Sequence, residues 1–198
     1  MSFVILAGNP RPQSRTLQVA RLAADAVSRA TGRPEGHEVV DLSGLSRRLL
    51  PDEPSPAVED AVEQVTTAGL LLVASPTYKG TYTGLLKVFL DRLDYQALSG
   101  VTALPMLVMR VPQHALAVDV HLRPLLTELA AAVPGPGLAF LESDLDRAAS
   151  VLDPWAARVA AALGRGAARV QPPDPALIRE PARRRPPTIL EVTGLGSS

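Results

Sequence analysis

The sequence predicts a three-layer α/β sandwich, a five-stranded parallel sheet covered by helices on both faces. Short apolar runs alternate with longer segments of helical period from residue 3 to about 165. Phe3–Ala7 is an unbroken apolar run and Leu70–Ala74 the most continuous one, as strands buried on both faces are. The resulting βαβαβαβαβα order connects neighbouring strands by helical crossovers, which makes the sheet parallel.

Each element follows from its residues. Phe3–Ala7 is an apolar run closed by Gly8. Arg15 to about Ala30 carries Val19, Leu22, Ala23, Ala26 and Val27 near helical spacing and ends at Thr31-Gly32. His37–Leu42 is a second, polar-edged strand. Pro56 to Thr67 reads as a helix, with proline in its first turn and acids early, where the helix dipole favours them. Leu70–Ala74 is the central strand, and Gly84–Leu93 sets Leu85, Leu86, Phe89, Leu90 and Leu93 along one helical stripe. Ala103–Met109 is a fourth strand that tolerates Pro105 only near its start. Gln113 to Val133 reads as one long helix in which Pro124 removes a ladder bond and introduces a kink. Leu138–Leu141 is the fifth strand and Pro154–Leu163 the last helix, with Trp155 packing it onto the sheet. Five strands at this spacing fit the flavodoxin-like order 2-1-3-4-5 better than a six-stranded Rossmann sheet. The domain is expected to span residues 1–165. Residues 166–198, rich in proline and arginine, are expected to form an extended arm or disordered tail, solvated or draped on a neighbouring subunit.

Composition removes several classes of function. Twenty lysines and arginines balance twenty acids, so bulk charge points to neither a nucleic-acid nor a membrane partner. The chain has no cysteine, which excludes disulfides, thiolate metal sites and cysteine nucleophiles. No apolar run reaches the roughly 18 residues of a membrane helix, and the amino terminus reads as a strand rather than a signal peptide, so a cytoplasmic location is expected. His114 and His121 share a helix face without a third ligand at metal spacing, so no metal site is expected. There is no G-x-S-x-G elbow. Asp52, Glu53, Glu59, Asp60 and Glu63 read as a solvated acidic face around one helix start.

In a doubly wound sheet, ligands sit beyond the carboxyl ends of the strands where the order reverses, here between strands 1 and 3. The loop leaving strand 1 is Gly8-Asn9-Pro10-Arg11-Pro12-Gln13-Ser14-Arg15-Thr16. It opens a helix, so amides and dipole face any anion there. Asn9, Ser14 and Thr16 offer short hydrogen-bonding groups, and Arg11 and Arg15 offer charge-assisted donors suited to phosphate. Without G-x-G-x-x-G or a lysine-bearing glycine loop, these groups point to a single terminal phosphate. The same residues also fit an ordinary strand–helix turn with Ser14 as N-cap and solvated arginines. The second loop, Ser75-Pro76-Thr77-Tyr78-Lys79-Gly80-Thr81-Tyr82-Thr83-Gly84, could present amides to the edge of a flat heterocycle with Tyr78 beside the ring. Read alone, it is equally a surface loop with an exposed tyrosine.

Together, Ala7–Thr16 (AGNPRPQSRT) and Ala74–Leu93 (ASPTYKGTYTGLLKVFLDRL) closely resemble the NADPH-dependent FMN reductase family. Within it they are nearest the flavin reductases that supply reduced FMN to alkanesulfonate monooxygenases. Ala115–Pro124 also looks like that family's fourth helix, and the resemblance spans about residues 3 to 165. It implies FMN as cofactor and NADPH or NADH as electron donor, with hydride passing to the flavin and no catalytic side chain required. It implies that Arg11, Ser14 and Thr16 hold the FMN phosphate, with Asn9 where the family usually has serine and Arg15 alongside. Pro76, Thr77, Tyr78 and Lys79 would line the isoalloxazine and ribityl chain, with Gly80 shaping their loop. Homodimers or homotetramers would assemble through Gly84–Leu93 and Gln113–Val133, and reduced FMN would pass to a monooxygenase. One departure stands out: Met109-Arg110 occupies the place of a Gly-Gly pair that usually lies against the flavin ring. Those side chains could crowd the ring, or Arg110 could stabilise the anionic reduced flavin. The alternatives are a quinone- or azo-type reductase that retains FMN, and a non-catalytic partner subunit that has lost flavin binding.

Overall fold

The computed structural model describes residues 2–34, 36–50 and 55–167. Within them the elements run β1 (Phe3–Ala7), α1 (Arg15–Thr31), β2 (Glu38–Asp41), α2 (Pro56–Thr66), β3 (Leu70–Pro76), α3 (Gly84–Leu90), β4 (Thr102–Met109), α4 (Arg123–Glu128), β5 (Leu138–Leu141) and α5 (Ala148–Ala167). The five strands form one parallel sheet of order β2-β1-β3-β4-β5, the flavodoxin-like order the sequence predicts.

Strand alternation divides the core in two. Val4, Leu6, Leu71, Val73, Leu107 and Met109 point to the face covered by α2, α3 and α4, where they meet Val58, Phe89 and Leu126. Ile5, Leu70, Leu72, Met106, Val108 and Phe140 point to the face covered by α1 and α5, among Val19, Ala23, Val27 and Trp155. Both residue sets are apolar because both faces are covered, which is why the strands read as continuous runs. Leu22 departs from the expected stripe: it is exposed, and the inward face of α1 is Val19, Ala20, Ala23, Ala24 and Val27.

Two helices differ from expectation. Gln113–Val133 is not one kinked helix. A short 3₁₀ turn at Pro112–His114 precedes a wide π turn at Val118–Leu122, and only Arg123–Glu128 is α-helical. The amide of Arg123 donates to the carbonyl of Val118, five residues back. Pro124 is therefore the second residue of α4, directly after the wider turn. The helix ends at Glu128; beyond it Ala130 holds a φ of +66°, and Ala132 pairs beside the start of β4, its carbonyl accepting from Ala103 at 2.8 Å. The last helix begins at Ala148, six residues before the proline expected to start it. Its buried stripe of Ala148, Leu152, Trp155, Ala156 and Val159 spans Pro154 at helical spacing. The carbonyl that Pro154 deprives of a partner, on Ser150, belongs to an exposed residue and can bond water. Pro105 lies within β4 rather than at its start, before pairing with β5 begins at Met106.

Trp155 is buried and its Nε1 donates to the Pro136 carbonyl at 2.9 Å, fixing α5 on the segment that leads into β5. Trp155→Phe is expected to cost about 2 kcal/mol, from the lost bond and the space left behind, read as a lower urea midpoint.

Glu59, Asp60 and Glu63 are exposed on α2, while Asp52 and Glu53 lie outside the described residues. The expected carboxyl-terminal arm, 166–198, also lies outside them apart from the end of α5. Among the described residues, no helix is long and apolar enough to cross a membrane, and no cluster of His, Cys, Asp or Glu could hold a metal ion.

Candidate functional site

The loops that leave β1 and β3 are tied together by buried polar groups. The Gly8 amide donates to the Ala74 carbonyl at 2.7 Å. Thr83 caps α3, its Oγ1 accepting from the Leu86 amide at 3.1 Å while donating to the Gly8 carbonyl at 2.5 Å. Ser75 Oγ accepts from the Thr83 amide at 3.0 Å. Gly8 must be glycine for this approach, since a Cβ there would lie 2.7 Å from Leu86 Cβ. Sequence reasoning assigned Ser75 and Thr83 no role. Thr83 carried a legible signal, a threonine immediately before a helical stripe.

The first loop is organised around buried Asn9. Its Nδ2 donates to Thr16 Oγ1 at 3.0 Å, and its Oδ1 accepts from the Arg11 amide at 3.0 Å. Ser14 caps α1, accepting from the Leu17 amide at 3.2 Å. Capping and anion binding are compatible here. Ser14 and Thr16 each accept a bond through oxygen and keep the hydroxyl proton to donate. The amides that open α1 have no helical acceptor of their own, and the positive end of the dipole points the same way.

These loops frame a cleft of about 570 Å³ at the carboxyl edge of the sheet, within the size range of small-molecule sites. Of the residues predicted from sequence, Asn9, Arg11, Ser14, Arg15, Thr16, Pro76 and Tyr78 line it. Thr77, Lys79 and Gly80 do not line it. Lys79 and Gly80 sit in the turn closed by the Tyr78 amide on the Thr81 carbonyl at 2.8 Å, with φ of +55° and +85°. Thr77 precedes this turn; its amide donates to the Val108 carbonyl at 2.9 Å, and its Oγ1 is buried without a hydrogen-bond partner.

The remaining wall comes from the ends of β4 and β5. Met109 and Arg110, adjacent in sequence, part at the strand end. Met109 is buried in the core beneath α3 and α4, while the Arg110 side chain is 87% exposed and lines the cleft. Met109 therefore crowds nothing in the cleft, and the departure from Gly-Gly reduces to one arginine. Glu142, which sequence reasoning missed, is the single acid among the lining residues. Its Oε2 lies 3.1 Å from Arg15 Nη1 and 3.9 Å from Arg110 Nε.

The whole core domain matches known proteins. A family model described as NADPH-dependent FMN reductase matches residues 1–146. The chain belongs to this family. Among related FMN reductases, one from Pseudomonas aeruginosa, an "FMN reductase (NADPH)", is 33% identical over 168 residues, covering 83% of this chain and 89% of the relative. The "NADH-dependent FMN reductase SfnF" of Pseudomonas fluorescens is 31% identical over 173 residues, covering 84% and 90%. Among solved structures, the apo form of an NADH:FMN oxidoreductase, EMOB, superposes with a TM-score of 0.71 at 30% identity, covering 88% of this chain and 92% of the other. An archaeal flavodoxin, 12% identical with a TM-score of 0.57 and covering 83% and 99%, shares the fold. Reductases of this family are named for either nicotinamide donor.

Proposed function

We propose that this protein reduces FMN at the expense of NADPH or NADH and that the flavin binds in the cleft at the carboxyl edge of the sheet. The observation that carries the reading is the convergence of Arg11, Ser14, Arg15 and Thr16 with Pro76 and Tyr78 on one cavity. A phosphate fits the first group, which offers two guanidinium groups, two hydroxyl protons and the amino end of α1. A flat ring fits the second, with Pro76 and Tyr78 on the wall facing the phosphate donors.

Bound flavin supplies the hydride acceptor, so the chain need contribute no acid or base. Its residues do the placing. Asn9 holds Thr16 and the Arg11 backbone in position; Thr83 and Ser75 fix the distance between the phosphate and ring loops. Tyr78 would shield one side of the ring. Placement of this kind brings reacting atoms within about 3–3.5 Å and removes much of the entropic barrier.

Release of reduced FMN to a partner monooxygenase is part of this reading, as is a cytoplasmic location, where nicotinamide donors are supplied. So is a homodimer or homotetramer: Tyr95, Leu116 and Val120 leave large apolar side chains exposed beside α3 and α4, which a second copy would cover.

Titrating the stripped protein into FMN should quench flavin fluorescence saturably at micromolar concentration, and added NADPH or NADH should then be oxidised only with FMN present. No quenching sinks the proposal. FMN that survives dialysis points instead to a reductase that retains it.

A further inference from the structure

Glu142 is out of place in a cleft built for an anion. The other charged lining residues are Arg11, Arg15 and Arg110, and a carboxylate among them repels the group they would attract. It is also the most firmly held member of the cluster. Its side chain is 26% exposed, against 67% for Arg15 and 87% for Arg110, so the carboxylate is the fixed point and the arginines are the groups free to turn.

We propose that Glu142 is a specificity-determining residue that keeps phosphorylated flavin exchangeable by competing with its phosphate for Arg15. The proposal rests on FMN binding in this cleft. An arriving phosphate monoester must take Arg15 from an existing 3.1 Å ion pair, so the binding free energy is the difference between two charge-assisted interactions rather than the whole of one. The carboxylate then remains near the dianion and repels it. A flavin without phosphate meets neither effect. Glu142 therefore lowers the affinity for FMN while leaving that for riboflavin unchanged, and it does so where a flavin that must leave as product benefits from weaker holding. Arg110, 3.9 Å from the same carboxylate, remains as a second counter-charge for Glu142 after Arg15 turns away.

The test compares Glu142→Gln, Glu142→Asp and wild type as stripped full-length chains, titrated separately with FMN and with riboflavin at low and high salt. Glu142→Gln should tighten FMN about three- to five-fold, the range of a partly exposed ion pair, with riboflavin affinity unchanged. The gain should shrink at high salt. Glu142→Asp should stay near wild type, and in an Arg15→Gln background the glutamine should no longer help. Weaker FMN binding by Glu142→Gln would overturn the proposal and make Glu142 a residue that pre-orients Arg15. An equal change with both flavins would overturn it as a general structural effect. Wild type that binds both flavins while Glu142→Gln binds them identically overturns this proposal alone; wild type that binds neither overturns the flavin site itself.

Discussion

Thr83→Val is expected to destabilise the protein by about 3 kcal/mol and to weaken FMN binding by an order of magnitude or more. The two side chains have nearly the same shape, so packing is preserved and the hydroxyl alone is removed. That hydroxyl is 3% exposed as a residue and serves two partners, the Gly8 carbonyl and the Leu86 amide. Both become buried and unpaired, each at a cost of about 1–3 kcal/mol, and α3 loses its N-cap. The functional loss follows from position. The Gly8 carbonyl is the point where the phosphate loop is fastened to the ring loop, so releasing it lets the two halves of the cleft drift apart. Urea unfolding reads the first effect and FMN fluorescence titration the second. Thr83→Ser, which keeps the hydroxyl, should lie within about 1 kcal/mol of wild type; valine and serine behaving alike would refute the argument.

The second large effect concerns charge. Arg11→Gln should weaken FMN binding about 10- to 100-fold, the value of a charge-assisted bond to phosphate, and leave riboflavin binding and the urea midpoint unchanged. Stability should be indifferent because the Arg11 side chain is exposed and makes no ion pair with the described residues. The bond that shapes the loop uses the Arg11 backbone amide on Asn9, which glutamine retains. Arg11→Lys should fall between, since a lysine supplies charge without the planar pair of donors. A matched loss of riboflavin and FMN would show that Arg11 supports the ring or the loop rather than the phosphate.

The sheet was legible because its inner strands β1, β3 and β4 are buried on both sides, so Val4 and Ile5, Leu71 and Leu72, all had to be apolar. The first wall of the cleft was legible because Asn9, Arg11, Ser14, Arg15 and Thr16 lie within one short stretch opening a helix. What escaped were arrangements that depend on distant partners. Glu142 closes on Arg15 across 127 residues, and nothing local distinguishes it from an ordinary surface acid after a strand. Pro124 and Pro154 misled in opposite senses. The first stood inside an apolar periodicity that the backbone abandons before and after a short helix; the second stood inside a helix whose carbonyl loss faces water. The separate fates of Met109 and Arg110 could have been read from the alternation of β4, since Leu107 and Met109 share the core-facing side. Thr77, Lys79 and Gly80 sit in a matched motif, yet only the folded loop shows that they do not line the cleft.

The cleft draws its walls from loops following β1, β3, β4 and β5, so no contiguous stretch of chain contains it. A partly assembled chain holds the donors of the first loop without their facing wall. On the proposed flavin site, the complete cleft exists only once the sheet is assembled, and the native state alone can bind. By mass action, every increment of free flavin above its dissociation constant then deepens the native well as a whole. On that proposal the ligand acts as a fastener on the finished sheet, and the stability of the chain becomes coupled to the flavin supply around it.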